Sequence, residues 1–205
     1  MTLLVTRPRY DIPTGYLFHW SKIFLTEAKR RNLDFLDLKK DKANRNLVES
    51  YLIKQNPDIV IFNGHGNNVS IAGQDDETLI SVNVNDHLLK DKIIFVRACS
   101  AAKILGPNTI KLGAKGFVGY KELFVFLSGK DSSAKPLHDE IARPFLECSN
   151  QVGLSLIKGH PANTANENSI KVYQKVISKM LNSEVSNVSS IPFLVWNMMN
   201  QVSYG

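Results

Sequence analysis

Two short, continuously apolar runs constrain the fold of this chain more than any other feature. Residues 59–62 read Ile-Val-Ile-Phe and residues 93–96 read Ile-Ile-Phe-Val, so both are rich in β-branched and aromatic side chains. Runs of this length and composition favour strands that are covered on both faces, which is typical of a parallel sheet between layers of helices. The two runs therefore predict an α/β fold.

The residues around these runs predict the rest of the sheet. In chain order the predicted strands are residues 2–6, 33–38, 59–62, 93–96, 116–120 and 193–196. Strands that alternate with helices favour parallel pairing with right-handed crossovers. We therefore expect a Rossmann-like, mostly parallel sheet of about six strands with helices on both faces. The 205 residues suit one sizeable core, so we expect a single domain over residues 1–205.

The segments between the strands carry helical spacing or turn signals. Thr14 is the predicted cap of a first helix, which ends at residues 30–32. Further helical stretches are predicted over residues 47–52, 85–90, 100–105, 108–112, 132–158 and 166–181, with a break at residues 106–107. Residues 69–71 and 79–82 favour a small hairpin, and residues 183–190 are linker-like. The apolar residues 124, 126 and 127 predict a loop that packs over a cleft.

Composition and charge favour an ordinary globular protein. Hydrophobic residues make up 43% of the chain and charged residues 21%. The net charge of +6 comes from basic residues mixed with acidic ones, as at residues 39–42, so we expect a solvated surface and no nucleic-acid partner. Residues 1–8 lack the basic flank and long apolar core of a signal peptide, and no run approaches the ~18 apolar residues of a membrane span. We therefore expect a cytoplasmic protein with no membrane partner.

The cysteines and most histidines show no pattern of cross-linking or metal binding. Two cysteines are too few for a disulfide framework, so we expect Cys99 and Cys148 to be unpaired. The histidines at positions 19, 87, 138 and 160 lack metal-ligand spacing to a second His or Cys. We expect no metal and no other cofactor.

A histidine and a cysteine follow the two central apolar runs. Residues 63–66 read Asn-Gly-His-Gly, and residues 97–101 read Arg-Ala-Cys-Ser-Ala. Ligands of open parallel sheets bind beyond the carboxyl ends of the strands, so we expect His65 and Cys99 at one rim. An imidazole there can accept the thiol proton and create a nucleophilic thiolate. The N–H groups of Gly66 and Cys99 would face an oxyanion. A short helix expected directly after the cysteine would favour the thiolate through its dipole.

These motifs resemble the caspase/gingipain clan of cysteine peptidases. That clan is marked by an apolar block with His-Gly, then a second apolar block with Ala, Gly or Ser before Cys. Residues 116–120 (Gly-Phe-Val-Gly-Tyr) resemble the gingipain- and CHAT-like members, and the order of elements matches over residues 2–120. The resemblance implies a caspase-like fold and a cysteine endopeptidase with Cys99 as nucleophile, His65 as general base and Gly66 as oxyanion donor. The clan generally uses a Cys-His dyad, so no third catalytic side chain is expected.

The substrate-binding residues follow the resemblance less closely. Caspases carry Gln-Ala-Cys, a variable residue and Gly, so their specificity does not carry over to this chain. The position two before the nucleophile often lines the substrate pocket in this clan, and Arg97 there would pair an acidic side chain. The loop after the first strand offers Arg7 or Arg9 for the same role. Asp11, or the acidic residues 75–76, would instead suit a basic side chain. Loop salt bridges are an equally open interpretation of these charges, and the sequence leaves the cleavage specificity open.

Two other functions stay open at this point. One is a catalytically inactive, caspase-like interaction module. The other is a nucleotide-binding α/β domain that uses the loop at residues 64–67, although this loop lacks the Gly-Lys-Ser/Thr ending of a P-loop. A peptidase implies a protein or peptide as substrate, and a regulatory partner or a homodimer is left open.

Overall fold

Parallel strands form the centre of the protein. The computed structural model describes residues 1–130, 132–182 and 188–205. In these ranges the strands are β1 (Thr2–Arg7), β2 (Asp34–Lys39), β3 (Ile59–Asn63), β4 (Ser70–Ala72), β5 (Thr78–Ser81), β6 (Ile93–Arg97), β7 (Gly116–Tyr120) and β8 (Gln201–Tyr204). β4 and β5 form the predicted small hairpin, and the other six strands form one sheet in the order β2-β1-β3-β6-β7-β8. Neighbouring strands of this sheet are parallel, except that β8 is antiparallel to β7.

Helices cover both faces of the sheet. They are α1 (Ile12–Trp20), α2 (Lys22–Arg30), α3 (Arg45–Lys54), α4 (Leu105–Lys111), α5 (Arg143–Ile157), α6 (Ala162–Leu181) and α7 (Ile191–Asn200). Successive strand residues point to opposite faces, so Leu4 packs with α3, α4 and the hairpin, whereas Leu3 and Val5 pack with α2, α5 and α6. The predicted α/β class with a mostly parallel sheet is confirmed. In the described ranges no helix has the length and apolar character needed to cross a membrane.

The first helix begins one turn before the predicted cap. Asp11 is the N-cap, and its carboxylate accepts a hydrogen bond from the Thr14 N–H at 2.8 Å. The Thr14 hydroxyl in turn accepts from the Asp11 N–H at 3.1 Å, which completes a capping box. The prediction of Thr14 as cap is therefore corrected to Asp11. Ser21 separates α1 from α2, where the sequence predicts one continuous helix.

The predicted last strand at residues 193–196 is wrong. These residues lie within α7, and Leu194 is buried against Phe145, Cys148 and Tyr173. The actual last strand is β8, which adds an antiparallel edge to β7. The error has a physical origin: short apolar runs with aromatic and β-branched residues suit a buried strand and a buried helix face equally well.

Three further boundaries differ from the prediction. Helix α4 continues through residues 106–107. Pro107 lies in the first turn, where backbone N–H groups have no partner within the helix, so the N–H that proline lacks breaks no helical hydrogen bond. The stretch 132–158 is an α-helix only from Arg143, after two 3₁₀ turns at Ser132–Ala134 and Pro136–His138. Of the linker-like segment, residues 183–187 lie outside the described residues, and Val188–Ser190 forms a 3₁₀ turn.

Candidate functional site

The register of the two central strands brings the predicted histidine and cysteine to one edge of the sheet. Asn63 on β3 pairs with Arg97 on β6, so His65 and Cys99 are each the second residue beyond a paired position. The strand order also reverses direction at β1, because β2 lies on one side of it and β3 on the other. Ligands of such sheets bind at this kind of switch point. The loop after β1, which contains Asp11, reaches the same edge.

A tight glycine turn fixes the position of His65. Gly64 has a φ of +153°, and a Cβ there would lie 2.2 Å from the Ala72 carbonyl oxygen, so only glycine fits. The His65 carbonyl accepts a hydrogen bond from the Ala72 N–H at 2.9 Å. The imidazole Nε2 lies 2.7 Å from Asp11 Oδ2, and the Tyr10 ring meets the imidazole edge-on at 6.1 Å between centroids. These contacts leave the imidazole Nδ1 as the nitrogen available to a second group.

Asp11 is the partner of His65 that the sequence did not predict. Its Oδ1 accepts from both the N–H and the hydroxyl of Thr14, at 2.8 and 2.6 Å, while Oδ2 contacts the imidazole. Burial alone would raise the pKa of Asp11, but the hydrogen bonds from Thr14 and then from His65 lower it overall. The position of Asp11 could have suggested this contact, since Asp11 follows β1 and His65 follows β3, and loops after neighbouring parallel strands reach the same edge of the sheet. The predicted role of Asp11 in binding a basic substrate residue stays a prediction.

The Cys99 thiol lies half-buried in the site. Burial raises its pKa, and the hydrogen bond from the Phe124 backbone lowers it by less. Cys148 is also a free thiol, but it is fully buried in α5, where burial and then Glu147 raise its pKa to about 12. The expected helix after Cys99 is absent from the structure, because Ser100 adopts a φ of +57° and the chain turns away until α4 begins. The dipole that was predicted from a helix directly after Cys99 is therefore not present.

His65 and Cys99 line one cavity of about 340 Å³. Its lining comprises Gly64, His65, Ala98 and Cys99 at the strand ends, Ile12, Pro13 and Leu17 of α1, and Leu123, Phe124, Val125, Phe126 and Ser128 of the segment after β7. The apolar loop at residues 121–131 was predicted to pack over a cleft, and its described residues 123–126 do form one wall. Apart from the His65 imidazole and the Cys99 thiol, no side chain that lines this cavity can carry a charge.

Helix α7 holds this wall in place. The buried Asn197 side chain accepts from the Val125 N–H at 3.0 Å and donates to the Val125 carbonyl at 2.6 Å. The Trp196 indole N–H donates to the Leu123 carbonyl at 2.9 Å. The sequence reasoning missed Asn197, because a strand was predicted just before it. In the sequence, Asn197 stands out as an amide side chain directly after the apolar run at residues 193–196.

Arg97 does not line the cavity, which corrects its predicted role in substrate binding. Its side chain is fully buried beneath the site. The Nε and Nη2 atoms donate to Asn63 Oδ1 at 3.0 and 2.7 Å, and Nη1 donates to Asn150 Oδ1 at 2.6 Å. Burial lowers the pKa of Arg97 to about 10. A substrate side chain has no path to this guanidinium.

Arg7 is likewise committed to structural contacts. Only 5% of the residue is exposed, its Nη1 contacts Asp37 at 3.1 Å, and its Nε donates to the Phe18 carbonyl at 3.3 Å. Burial lowers the pKa of Arg7, and Asp37 raises it by less. The expectation that Arg7 binds substrate is therefore not met. Arg9 lines a different cavity of about 260 Å³.

Gly66, one of the two residues predicted to donate to an oxyanion, lies outside the 340 Å³ cavity and lines a second cavity of about 480 Å³ that Cys99 also lines. The loop hydrogen bonds at this edge use the Asn67 N–H, which donates to the Ser70 carbonyl at 3.0 Å, and the His65 carbonyl. Among the described loop and turn bonds, none uses the N–H of Gly66 or of Cys99. Pairing with β4 thus orders the loop at residues 64–67. Within the described ranges, no group of three His, Cys, Asp or Glu side chains could hold a metal ion.

Comparison with known proteins identifies the fold. No protein-family model matches the chain, and no curated protein matches it. The structure is similar to that of the Arg-specific cysteine proteinase gingipain R, with a TM-score of 0.61 and 9% identity over 100% of this chain. It is also similar to the complex of the pro- and mature domains of the Porphyromonas gingivalis enzyme, with a TM-score of 0.60 and 8% identity over 100% of this chain.

The similarity defines a class of fold. The chain has a gingipain-like fold, and it spans 45% and 47% of the length of these two neighbours. At this level of identity the comparison shows the fold and leaves the activity to be argued from the site.

Proposed function

We propose that this protein is a cysteine endopeptidase. The Cys99 sulfur attacks the carbonyl carbon of a peptide bond, and the thiol proton passes to His65. His65 then gives this proton to the leaving nitrogen as the C–N bond breaks, which leaves a thioester on Cys99. Water, deprotonated by His65, attacks the thioester, and the C–S bond breaks to release the new carboxylate and the thiol.

The observation that carries this proposal is the shared cavity. His65 and Cys99 follow adjacent parallel strands and line the same 340 Å³ space. A thiol and an imidazole around one cavity can act on one carbonyl group, provided that the side chains turn toward it. The gingipain-like fold supports a hydrolase of this class.

Asp11 acts in this proposal as a positioning residue. Its contact with imidazole Nε2 at 2.7 Å holds the ring and directs Nδ1 toward the side where a thiol proton can be received. The depressed pKa of Asp11 keeps its carboxylate ionised at neutral pH, so it stabilises the imidazolium that forms when His65 takes the proton. Asp11 does not touch the reacting atoms.

The oxyanion has two available donors. When the thiol adds to the carbonyl, negative charge develops on the carbonyl oxygen. N–H groups that make no other hydrogen bond can stabilise this charge without reorganisation. The N–H groups of Gly66 and Cys99 meet this requirement among the described backbone bonds.

The test is cleavage of a peptide library by the purified protein, with products identified by mass spectrometry. We expect Cys99→Ala to lower the cleavage rate by at least about 10⁴-fold, because the nucleophile is lost. Cys148→Ala is the matched control and should keep the cleavage pattern at temperatures where it is folded. A product pattern that Cys99→Ala leaves unchanged would exclude the proposed mechanism.

A catalytically inactive interaction module is the second candidate. The raised pKa of Cys99 favours it, because a protonated thiol is a poor nucleophile at neutral pH. Labelling with iodoacetamide separates the two functions. Slower alkylation of Cys99 in His65→Ala than in the unaltered protein favours the peptidase, because the imidazole then accepts the thiol proton, and an unchanged rate favours the interaction module.

A further inference from the structure

The cavity at Cys99 differs in charge from the charged substrate pocket that the sequence suggests. Its walls come from the start of α1 and from residues 123–126, which read Leu-Phe-Val-Phe. Its floor contains Ala98 and Gly64 beside the two reactive side chains. A cavity of a few hundred Å³ with mainly apolar walls is suited to an apolar group.

Three charged side chains close to this edge of the sheet are committed to other contacts. Asp11 uses one carboxylate oxygen for Thr14 and the other for His65. Arg7 is buried against Asp37, and the Arg97 guanidinium is buried beneath the sheet edge. A charged substrate side chain would therefore lose its water without gaining a counter-charge, which is costly.

The apolar wall is built before any ligand arrives. Asn197 binds both the N–H and the carbonyl of Val125, and Trp196 binds the Leu123 carbonyl. A wall fixed in this way adds no ordering cost when a side chain enters. The cavity can therefore select by shape and polarity.

We propose that this cavity receives an apolar side chain, of the size of leucine, methionine or phenylalanine, from the residue whose carbonyl Cys99 attacks. This inference rests on the proposed function, since it assigns the acyl side of the scissile bond to the cavity whose floor holds Cys99. Arginine, lysine and aspartate at that position are rejected, because the cavity offers none of them a counter-charge.

The test uses peptidyl chloromethyl ketones that differ only in the residue next to the reactive group, namely Phe, Leu, Arg or Asp. Each reagent forms a thioether with Cys99 and releases chloride, so the rate of labelling followed by intact mass reports entry into the cavity without any turnover. We expect the Phe and Leu reagents to label Cys99 about 10- to 100-fold faster than the Arg and Asp reagents. Labelling by Arg or Asp reagents at an equal or higher rate would overturn the inference.

A matched pair of variants locates the selectivity. Leu123 is 56% exposed in the wall between this cavity and the 480 Å³ cavity, and Leu137 is 45% exposed outside both. We expect Leu123→Asp to lower the ratio of the Phe-reagent to the Arg-reagent labelling rate by at least about tenfold, because the new carboxylate pairs with the arginine side chain. Leu137→Asp should leave this ratio unchanged. Ile12→Asp, at a wall position that is 59% exposed and does not line the 480 Å³ cavity, should narrow the ratio in the same way and assigns the selectivity to this cavity. A ratio unchanged in both wall variants would contradict this cavity as the selective site.

The two proposals fail in different ways. Cleavage that depends on Cys99 but follows Arg or Asp residues would keep the peptidase and overturn the apolar cavity. Labelling that favours Phe and Leu, without any cleavage of the peptide library, would support the cavity and remove the peptidase.

Discussion

Strands β3 and β6 end in two polar pairs that have opposite surroundings. The inner pair, Asn63 and Arg97, is fully buried and joined by hydrogen bonds of 2.7 and 3.0 Å. The outer pair, His65 and Cys99, lies two residues beyond the end of each strand, half-exposed, beside an open cavity. Two residues of chain thus separate a rigid structural contact from a pair that is free to meet a ligand.

The difference arises from what covers each pair. Helix α5 supplies Asn150, which accepts from Arg97 at 2.6 Å and donates to the Trp20 carbonyl at 3.0 Å. The Arg97 guanidinium also lies 5.8 Å from the Phe24 ring centroid. Burying a cation without a carboxylate is costly, so these contacts must offset its lost hydration. The inner pair therefore fixes the spacing of the strand ends on which the outer pair depends.

The largest expected effect is on stability at the inner pair. Asn63→Ala removes the acceptor of two Arg97 donors and leaves a buried charge poorly paired. We expect the free energy of unfolding to fall by about 3–5 kcal/mol, whereas Cys99→Ala should change it by about 1 kcal/mol or less. Urea denaturation followed by circular dichroism measures both. Asn163→Ala, at an exposed asparagine, is the matched control, and a loss in Asn63→Ala no larger than in this control would break the comparison.

The second effect separates positioning from stability at the outer pair. Asp11→Asn keeps a good N-cap side chain but removes the carboxylate from His65. We expect kcat for peptide cleavage to fall about 10- to 100-fold with little change in KM. Asp76→Asn is the control, because Asp76 contacts the Tyr10 hydroxyl and not His65.

The alternative role of Asp11 gives a different result. If Asp11 instead binds a basic substrate side chain, Asp11→Asn raises KM for basic peptides and leaves kcat unchanged for apolar ones.

The ionisation of Asp11 also makes the stability of the protein depend on pH. Because the pKa of Asp11 is lowered in the folded protein, its contribution to the free energy of unfolding is fully present above the unfolded carboxyl pKa of about 3.9. This contribution is lost as the pH falls through the pKa of the folded state.

The third effect concerns the pH dependence of the Cys99 thiol. Since burial raises its pKa, the thiolate fraction should increase about tenfold per pH unit from neutral pH to beyond the ordinary thiol pKa of about 8.5. Iodoacetamide labelling of Cys99, mapped by mass spectrometry, should follow this slope. Cys148, with a pKa of about 12, serves as the internal control and should stay unlabelled in the folded protein. A plateau in Cys99 labelling between pH 6 and 7 would contradict the raised pKa.

The smallest effect is at the capping box that supports Asp11. Thr14→Ala removes the hydroxyl that accepts from the backbone N–H groups of Tyr10 and Asp11. We expect the free energy of unfolding to fall by about 1 kcal/mol, and Thr14→Ser should recover most of it. A loss as large as that of Asn63→Ala would show that the capping box at Asp11 contributes as much to the free energy of unfolding as the inner pair does.

Much of the sheet could be predicted because its information is local. In the runs at residues 59–62 and 93–96 three of the four side chains are β-branched, which favours strands that are covered on both faces. The segments that failed are those whose local pattern fits two structures. Residues 193–196 satisfy a strand or a helix face, and contact with Phe145 and Tyr173 decides for the helix.

The meeting of the two motif residues at one edge of the sheet could be predicted for the same reason. A histidine between two glycines and a cysteine among small residues are visible in the sequence, and parallel pairing carries both to one edge. Partners from distant parts of the chain were not visible. Asp11 meets His65 across 54 positions, and Asn197 meets Val125 across 72.

The sequence by itself determined the α/β class, the parallel strands, and the arrival of His65 and Cys99 at one edge, because strand patterns and strand direction are local properties. Only the tertiary structure decided which polar groups face the cavity. Arg97 and Arg7 look available in the sequence but are buried by packing, and the cavity walls come from segments remote in the chain. Burial depends on what packs above a residue, and no local pattern specifies that.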